Sequence, residues 1–354
     1  MAFVPPPERY AQLNMTTAPA SSPAAEPLVD PLGRVIRYVR ISVTDRCDLR
    51  CTYCMAERQT FLPREDLLSI EDLDRLASVF VGLGARRLRL TGGEPLVRKG
   101  FMDLVARLSR HLASGALDEL TLTTNGMRLA EHAEALAGHG VRRVNVSLDT
   151  LEPETYRRLT RGGDVSRALE GIAAAKAAGL AVKINAVALA RDNAADLPGL
   201  IEWAHGEGHE ISLIEAMPMG EIGADREAQF LSLGDVRRGL EARWTLTPMV
   251  KRTGGPARYV RVEETGGTLG FITPMTHNFC GDCNRVRMTC TGRLYLCLGQ
   301  DDHADLAGAL AEGGEAAVEA AIRAAVARKP GAHDFRIGPD AVPAVARPMS
   351  LTGG

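Results

Sequence analysis

The chain has 354 residues, 45% of them hydrophobic, and a formal net charge of −2. That length suits one large domain or two modest ones, and the near-neutral charge gives no bulk basic field, which argues against nucleic acid as a partner while leaving room for a basic pocket around a small anion. No apolar run approaches the roughly 18 residues of a membrane span, and "MAFVPPPERYAQ" lacks the charged and apolar regions of a secretory signal. A cytoplasmic chain with no membrane contact is expected. Seven cysteines in that reducing compartment point to metal or redox chemistry before disulfides.

Residues 1 to about 32 are rich in Pro, Ala, Ser and Thr and poor in large apolar residues, the composition of a disordered tail. Six β-rich runs follow, at 37–43, 86–91, 118–124, 142–148, 180–189 and 210–217, with helical patterns between most of them. One such pattern, "SIEDLDRLASVFVGLG", has Ser69 as its N-cap and acids in its first turn. Another, "VSRALEGIAAAKAAG", closes at Gly179. Six successive βα units imply a parallel sheet, and six fall short of the eight that close a TIM barrel. The reading for 33–230 is therefore a partial (β/α)6 TIM-like barrel with an open side. Past about residue 230, "WTLTPMV", "ARYVRVEE" and "TLGFITPM" read as strands of a smaller, partly antiparallel α+β extension over 231–354, which continues with an Ala-rich helix and a Pro/Gly-rich end.

"TDRCDLRCTYCMAE", just after the first β run, carries Cys47, Cys51 and Cys54 in C-x3-C-x2-C spacing. A structural zinc site usually takes four Cys or His ligands, and no histidine lies near this loop. Three thiolates can hold three irons of a 4Fe–4S cluster and leave the fourth open, and an open coordination position is how a metal site works on a small molecule. With Tyr53 before the last cysteine, the loop resembles the signature of the radical S-adenosylmethionine (SAM) superfamily. The resemblance implies that the open iron chelates the amino and carboxylate groups of SAM, that an electron cleaves SAM to methionine and a 5′-deoxyadenosyl radical, and that Tyr53 packs near the adenine. "TGGEP", at the end of the second β run, is by itself a strand-to-helix turn. It resembles the superfamily's GGEP motif, whose backbone meets the SAM amino group, and this assigns Gly93 to SAM.

"FCGDCNRVRMTCTGRLYLC" carries Cys280, Cys283, Cys290 and Cys297. Spacing alone leaves both C-x2-C-x13-C and a four-cysteine zinc knuckle open. Arg285 and Arg287 alternate, so a strand would send both to one side, and guanidinium forks suit phosphate oxygens and purine edges. Two solvated arginines on an exposed strand are the plainer alternative.

The two cysteine groups, "NRVR" after the second and "VRISVTDRCDLRCTYCM" at the first, together resemble the GTP 3′,8-cyclases over the chain from about Gly33 to the terminal glycine pair. The resemblance implies that Cys280, Cys283 and Cys297 hold a second 4Fe–4S cluster with an open iron beside the guanine of GTP, while Cys290 is additional to the pattern and is not a ligand. It adds Ser147 and Met217 to the SAM contacts and assigns Arg40, Arg89, Thr123, Lys183, Arg285, Val286 and Arg287 to GTP. A cation set of this size suits a triphosphate, and the missing P-loop suits an enzyme that leaves the phosphates intact. The implied reaction removes the hydrogen from C3′ of GTP, joins C3′ to C8 of guanine, and adds an electron and a proton, giving 3′,8-cyclo-7,8-dihydro-GTP for molybdenum cofactor synthesis. Implied partners are an electron donor of unknown identity and the next pathway enzyme, a cyclic pyranopterin monophosphate synthase; a homodimer is consistent with the reading. The rival readings are a radical SAM enzyme that modifies a peptide and a non-enzymatic zinc scaffold. In the resemblance the "PMSLTGG" end enters the active site.

Overall fold

The six β runs fold as their alternation demands. In the computed structural model, which describes residues 26–222, 225–251, 253–337 and 343–353, they form β1 (Tyr38–Ser42), β2 (Arg87–Thr91), β3 (Glu119–Thr124), β4 (Arg143–Ser147), β5 (Ala181–Ala188) and β6 (Glu210–Glu215). Consecutive strands pair in parallel, each with its neighbour in the chain. Such strands are covered on both faces. Val39 and Ile41 of β1 belong to the main apolar core, while Arg40 between them lines an internal cavity.

Helices complete the outer face. Helix Ile70–Gly82 starts where the Ser69 hydroxyl accepts from the Asp72 N–H at 3.0 Å, a cap worth about 1 kcal/mol. Its buried Leu73, Leu76, Ala77 and Phe80 recur at helical spacing and face the core. Helix Val165–Ala177 is capped by Asp164, and Gly179 beyond it takes φ +79°, a left-handed exit that glycine allows.

The C-terminal strands do not form a module of their own. β7 (Leu246–Met249), β8 (Arg258–Val262) and β9 (Thr268–Ile272) are antiparallel to one another, and β9 then pairs in parallel with β6. β10 (Arg285–Met288) pairs in parallel with β1, and β11 (Arg293–Tyr295) and β12 (His303–Asp305) continue from it antiparallel. One twelve-stranded sheet results, ordered β12-β11-β10-β1-β2-β3-β4-β5-β6-β9-β8-β7. A partial barrel leaves the edges of β1 and β6 with unpaired backbone groups, and the C-terminal strands satisfy both. Residue 230 thus marks a change of connection: Leu269, Val286, Met288 and Ile322 share one apolar cluster with Val39 and Leu88.

Residues 1–25 of the expected tail lie outside the described residues. In the rest of that stretch Leu28 is 2% exposed in the core and Val29 is bridged to Val35, while Val29 and Leu32 stay exposed. The Ala-rich helix spans Leu306–Val326 and is broken at Gly314, φ +64°. Among the described residues, no helix is long and apolar enough to cross a membrane.

Candidate active site

One cavity runs through the barrel, and both cysteine groups open onto it. Cys47 follows the end of β1, whereas Cys283 precedes β10, whose Arg285 sits opposite Tyr38 at the start of β1. The two groups therefore occupy opposite ends of one strand pair, a strand length of roughly 16 Å apart for five residues. Cys280, Cys283 and Cys297 line the cavity at one end, and Cys47, Cys51 and Cys54 at the other.

The first cysteine loop is held by its backbone. The Arg50 and Thr52 N–H groups donate to the carbonyls of Thr160 and Leu159, at 3.0 and 2.9 Å. On its other side the Gly93 N–H donates to the Thr44 carbonyl at 2.8 Å, and a Cβ on Gly93 would collide with the Arg46 carbonyl. The glycine is thus required by the close approach of two loops, whatever it does for a ligand. Glu94, 1% exposed, ties the turn down by accepting from Leu96 N–H, Thr124 Oγ1 and Asn125 N–H, at 3.0, 2.8 and 2.7 Å. Burial pushes its carboxyl up to about 7. The Tyr53 hydroxyl donates to Asp149 Oδ2 at 2.7 Å, which fixes the ring beside the cavity. Burial raises the Cys47, Cys51 and Cys54 thiols, Cys54 to about 12, and nearby Asp149, Glu94 and Asp48 act in the same direction. Thiolates here need a bound cation to offset both effects, and half-buried thiols in this setting fit an iron cluster.

The middle of the cavity is a layer of polar side chains set by strand period and register. Arg40 is opposite Arg287 on β10 and Arg89 on β2, and Asn145 is opposite Thr123 and Lys183. Barrel interiors are normally filled by branched apolar residues. Arg40 and Arg89 are each 8% exposed, and their Nε atoms have no hydrogen-bond partner; nor has Thr123 Oγ1. Burial, then Arg287 and Arg89, draws Arg40 well below the usual arginine range, a measure of uncompensated positive charge. A polyanion would supply the missing partners. Lys183, 6% exposed, donates to Tyr259 Oη at 2.6 Å, and both line the cavity.

At the far end, burial raises the Cys283 thiol, but Arg285 and Lys329 more than offset this and bring it down to about 7. Arg34 donates to the Cys280 carbonyl at 2.6 Å, and Arg347 to the carbonyls of Cys297 and Leu298 at 3.3 and 2.7 Å. Cys280, Cys283 and Cys297 lie within one another's electrostatic reach. Cys290 does not line the cavity; it is 1% exposed beside Ser42, Asp45 and Arg98.

The chain end enters the same space. Arg287 Nη1 donates to the Gly353 carbonyl at 2.6 Å, and Gly353, at φ +73°, lies so close to Thr91 that a Cβ would collide with it.

Of the residues named from sequence, Tyr53, Gly93, Ser147, Met217, Arg40, Arg89, Thr123, Lys183, Arg285 and Arg287 join the six cysteines along this cavity. Val286 does not: its side chain is 1% exposed in the apolar core. The alternation that sends Arg285 and Arg287 inward sends Val286 outward. Sequence reasoning passed over Asp149, Asn125 and Tyr259. The first two follow strand ends, in "SLD" and "TTNG", where barrel sites gather; no local signal marks Tyr259.

Residues 41–204 match the family model described as the radical SAM superfamily, and residues 209–335 match that of molybdenum cofactor synthesis C. A curated GTP 3′,8-cyclase of Caulobacter vibrioides is 62% identical over 341 residues, 96% of this chain and 97% of that protein. The one from Brucella canis is 62% identical over 343 residues, 96% and 99%. Among solved structures, Streptococcus suis SuiB bound to S-adenosylmethionine aligns with a TM-score of 0.57 and 16% identity, over 77% of this chain and 64% of that one. SuiB bound to precursor peptide SuiA aligns with a TM-score of 0.57 and 18% identity, over 75% and 61%. The chain spans less than two thirds of SuiB, and at such identity the likeness concerns the fold alone.

Proposed function

From the chain's membership of the GTP 3′,8-cyclase family of radical SAM enzymes, which convert GTP to (8S)-3′,8-cyclo-7,8-dihydroguanosine 5′-triphosphate as the first step of molybdenum cofactor biosynthesis, we propose how its residues divide that work. The observation that carries the proposal is that both cysteine groups share one cavity with a buried layer of cationic side chains in which the Nε atoms of Arg40 and Arg89 have no partner.

Cys47, Cys51 and Cys54 hold the first 4Fe–4S cluster, with Tyr53, Gly93, Ser147 and Met217 around SAM; when bound, the pair supplies the radical that takes the C3′ hydrogen. Asp149 keeps the Tyr53 ring in place through its hydrogen bond. Arg40, Arg89, Thr123 and Lys183 take the triphosphate, whose charge restores balance to a layer that burial leaves strongly positive. That anchoring fixes the ribose along the cavity and converts C3′–C8 closure into a step between positioned groups. Cys280, Cys283 and Cys297 hold a second 4Fe–4S cluster beside the guanine, with Arg285 and Arg287 next to it and Val286 contributing through its backbone. In this reading 33–230 generates the radical and 231–354 presents the nucleotide. A one-electron donor, a cyclic pyranopterin monophosphate synthase that consumes the product, a cytoplasmic location and a homodimeric state complete the proposal.

The peptide-modifying alternative predicts no use for the arginine layer. Anaerobic incubation of reconstituted protein with SAM, GTP and a reductant, followed by mass analysis, decides between them. The expected result is 5′-deoxyadenosine together with a cyclised isomer of GTP, because the hydrogen atom lost from C3′ is balanced by the electron and proton that quench the cyclised radical. Formation of 5′-deoxyadenosine with GTP recovered intact would reject the assignment.

A further inference from the structure

Lys329 lies just past the end of helix Leu306–Val326 and is 4% exposed. A buried ammonium normally faces a carboxylate. Among the described residues no carboxylate lies against this one. Its Nζ donates to the carbonyls of Arg285 and Leu296, at 2.9 and 2.5 Å, and stands 3.9 Å from Cys283 Sγ. Burial draws its ammonium below the usual lysine range; Cys283 and Cys297 favour the protonated form, and Arg34 and Arg285 oppose it. Arg34 provides the contrast. It braces the same region through the carbonyls of Cys280 and Pro330, yet it has Asp30 as its own counter-ion. Lys329 does not line the cavity, so a nucleotide phosphate there would not reach it as a partner.

We propose that Lys329 is the counter-cation of the second cysteine site, a positioning residue whose charge raises the reduction potential of the cluster held there. The inference rests on the two-cluster reading given above. Arg285 lies two residues after Cys283 and Leu296 immediately before Cys297, so one ammonium clamps the two chain segments that carry ligands. Its charge does something further. An electron added to a cluster is added negative charge, and a fixed cation beside a ligand sulfur stabilises the reduced form. Lys329 stands beside Cys283, at the end of the cavity opposite Cys47, Cys51 and Cys54, so the effect is confined to the second site.

The test is an anaerobic redox titration followed by electron paramagnetic resonance, with SAM added to mark the signal of the first cluster, on the reconstituted full chain and on Lys329→Gln. The neutral amide retains hydrogen-bond donors and removes the charge. At a potential near the wild-type midpoint, the reduced-to-oxidised ratio of the second cluster should fall at least tenfold in Lys329→Gln, about 59 mV for one electron, while the first cluster is unmoved. Two assembled clusters with unchanged potentials would overturn the inference alone. If Lys329→Gln assembles no second cluster, Lys329→Arg, which restores the charge, should regain it; equal loss in both variants overturns the counter-cation role. A wild-type chain with about four irons, where two clusters require about eight, would overturn the two-cluster reading and this inference with it.

Discussion

The two ends of the cavity present three thiols each, in opposite electrostatic settings. Around Cys47, Cys51 and Cys54, burial and the charges of Glu94, Asp48 and Asp149 disfavour further negative charge, with Arg226 near Cys54 opposing them. Around Cys283 the neighbours are Arg285 and Lys329, which hold its thiol at about 7 against burial. Ligand count alone would make the two sites equivalent. Their surroundings differ: those of the first disfavour added negative charge and those of Cys283 favour it. The variants below break or sharpen this contrast.

The largest effect is expected from Cys51→Ala, which takes one of the three proposed ligands from the first site and leaves the second whole. 5′-Deoxyadenosine formation should fall to background and iron should drop from about eight to about four per chain. Retained SAM cleavage would mean that the first loop is not the radical-generating site.

Removing Gly353 and Gly354 acts between the two ends. Arg287 loses the Gly353 carbonyl at 2.6 Å, and the space beside Thr91 opens. Product formation should fall by roughly a hundredfold, the cost of slight mispositioning at a reacting centre, with the iron content and SAM binding unchanged. A truncated chain that makes product at the full rate would reduce the tail to a terminus that happens to fold inward.

Arg287→Ala should weaken GTP binding by about 1.5–3 kcal/mol, the worth of a charge-assisted hydrogen bond, with slow SAM cleavage persisting. Calorimetric titration of the variant with GTP reads this directly. An unchanged affinity would remove Arg287 from the nucleotide site and leave it the single task of holding the tail.

The contrast between the ends was only partly legible in the sequence. The six barrel strands were, because each carries its own period-two pattern, and so was the shared side of Arg285 and Arg287, though not that this side faces inward. That same pattern places Val286 in the core. The positions of β9 beside β6 and β10 beside β1 were not, since strand pairing over such separations leaves no local mark. Lys329 was invisible for the same reason: in sequence it is one lysine after an Ala-rich helix, and only the fold brings it to 3.9 Å from Cys283. Asp149 became significant only once Tyr53, 96 residues away in the chain, was seen to donate to it.

The smallest effect should come from Cys290→Ser, and its smallness is what makes the variant useful. Cys290 lies between Cys283 and Cys297 in sequence, and a four-cysteine site would need it. In the fold it points elsewhere, 1% exposed beside Ser42, Asp45 and Arg98, and burial, then Asp45, pushes its thiol up to about 12. A buried thiol that faces away from the cavity is poorly placed to serve a metal there. Serine is nearly isosteric, so the variant should keep both clusters and its activity, with at most about 1–3 kcal/mol of stability lost to a buried hydroxyl. Iron analysis and the denaturation midpoint separate the two outcomes. Loss of about half the iron would show that Cys290 closes the fourth position of the second cluster, and the two ends would then differ in ligand number as well as in charge.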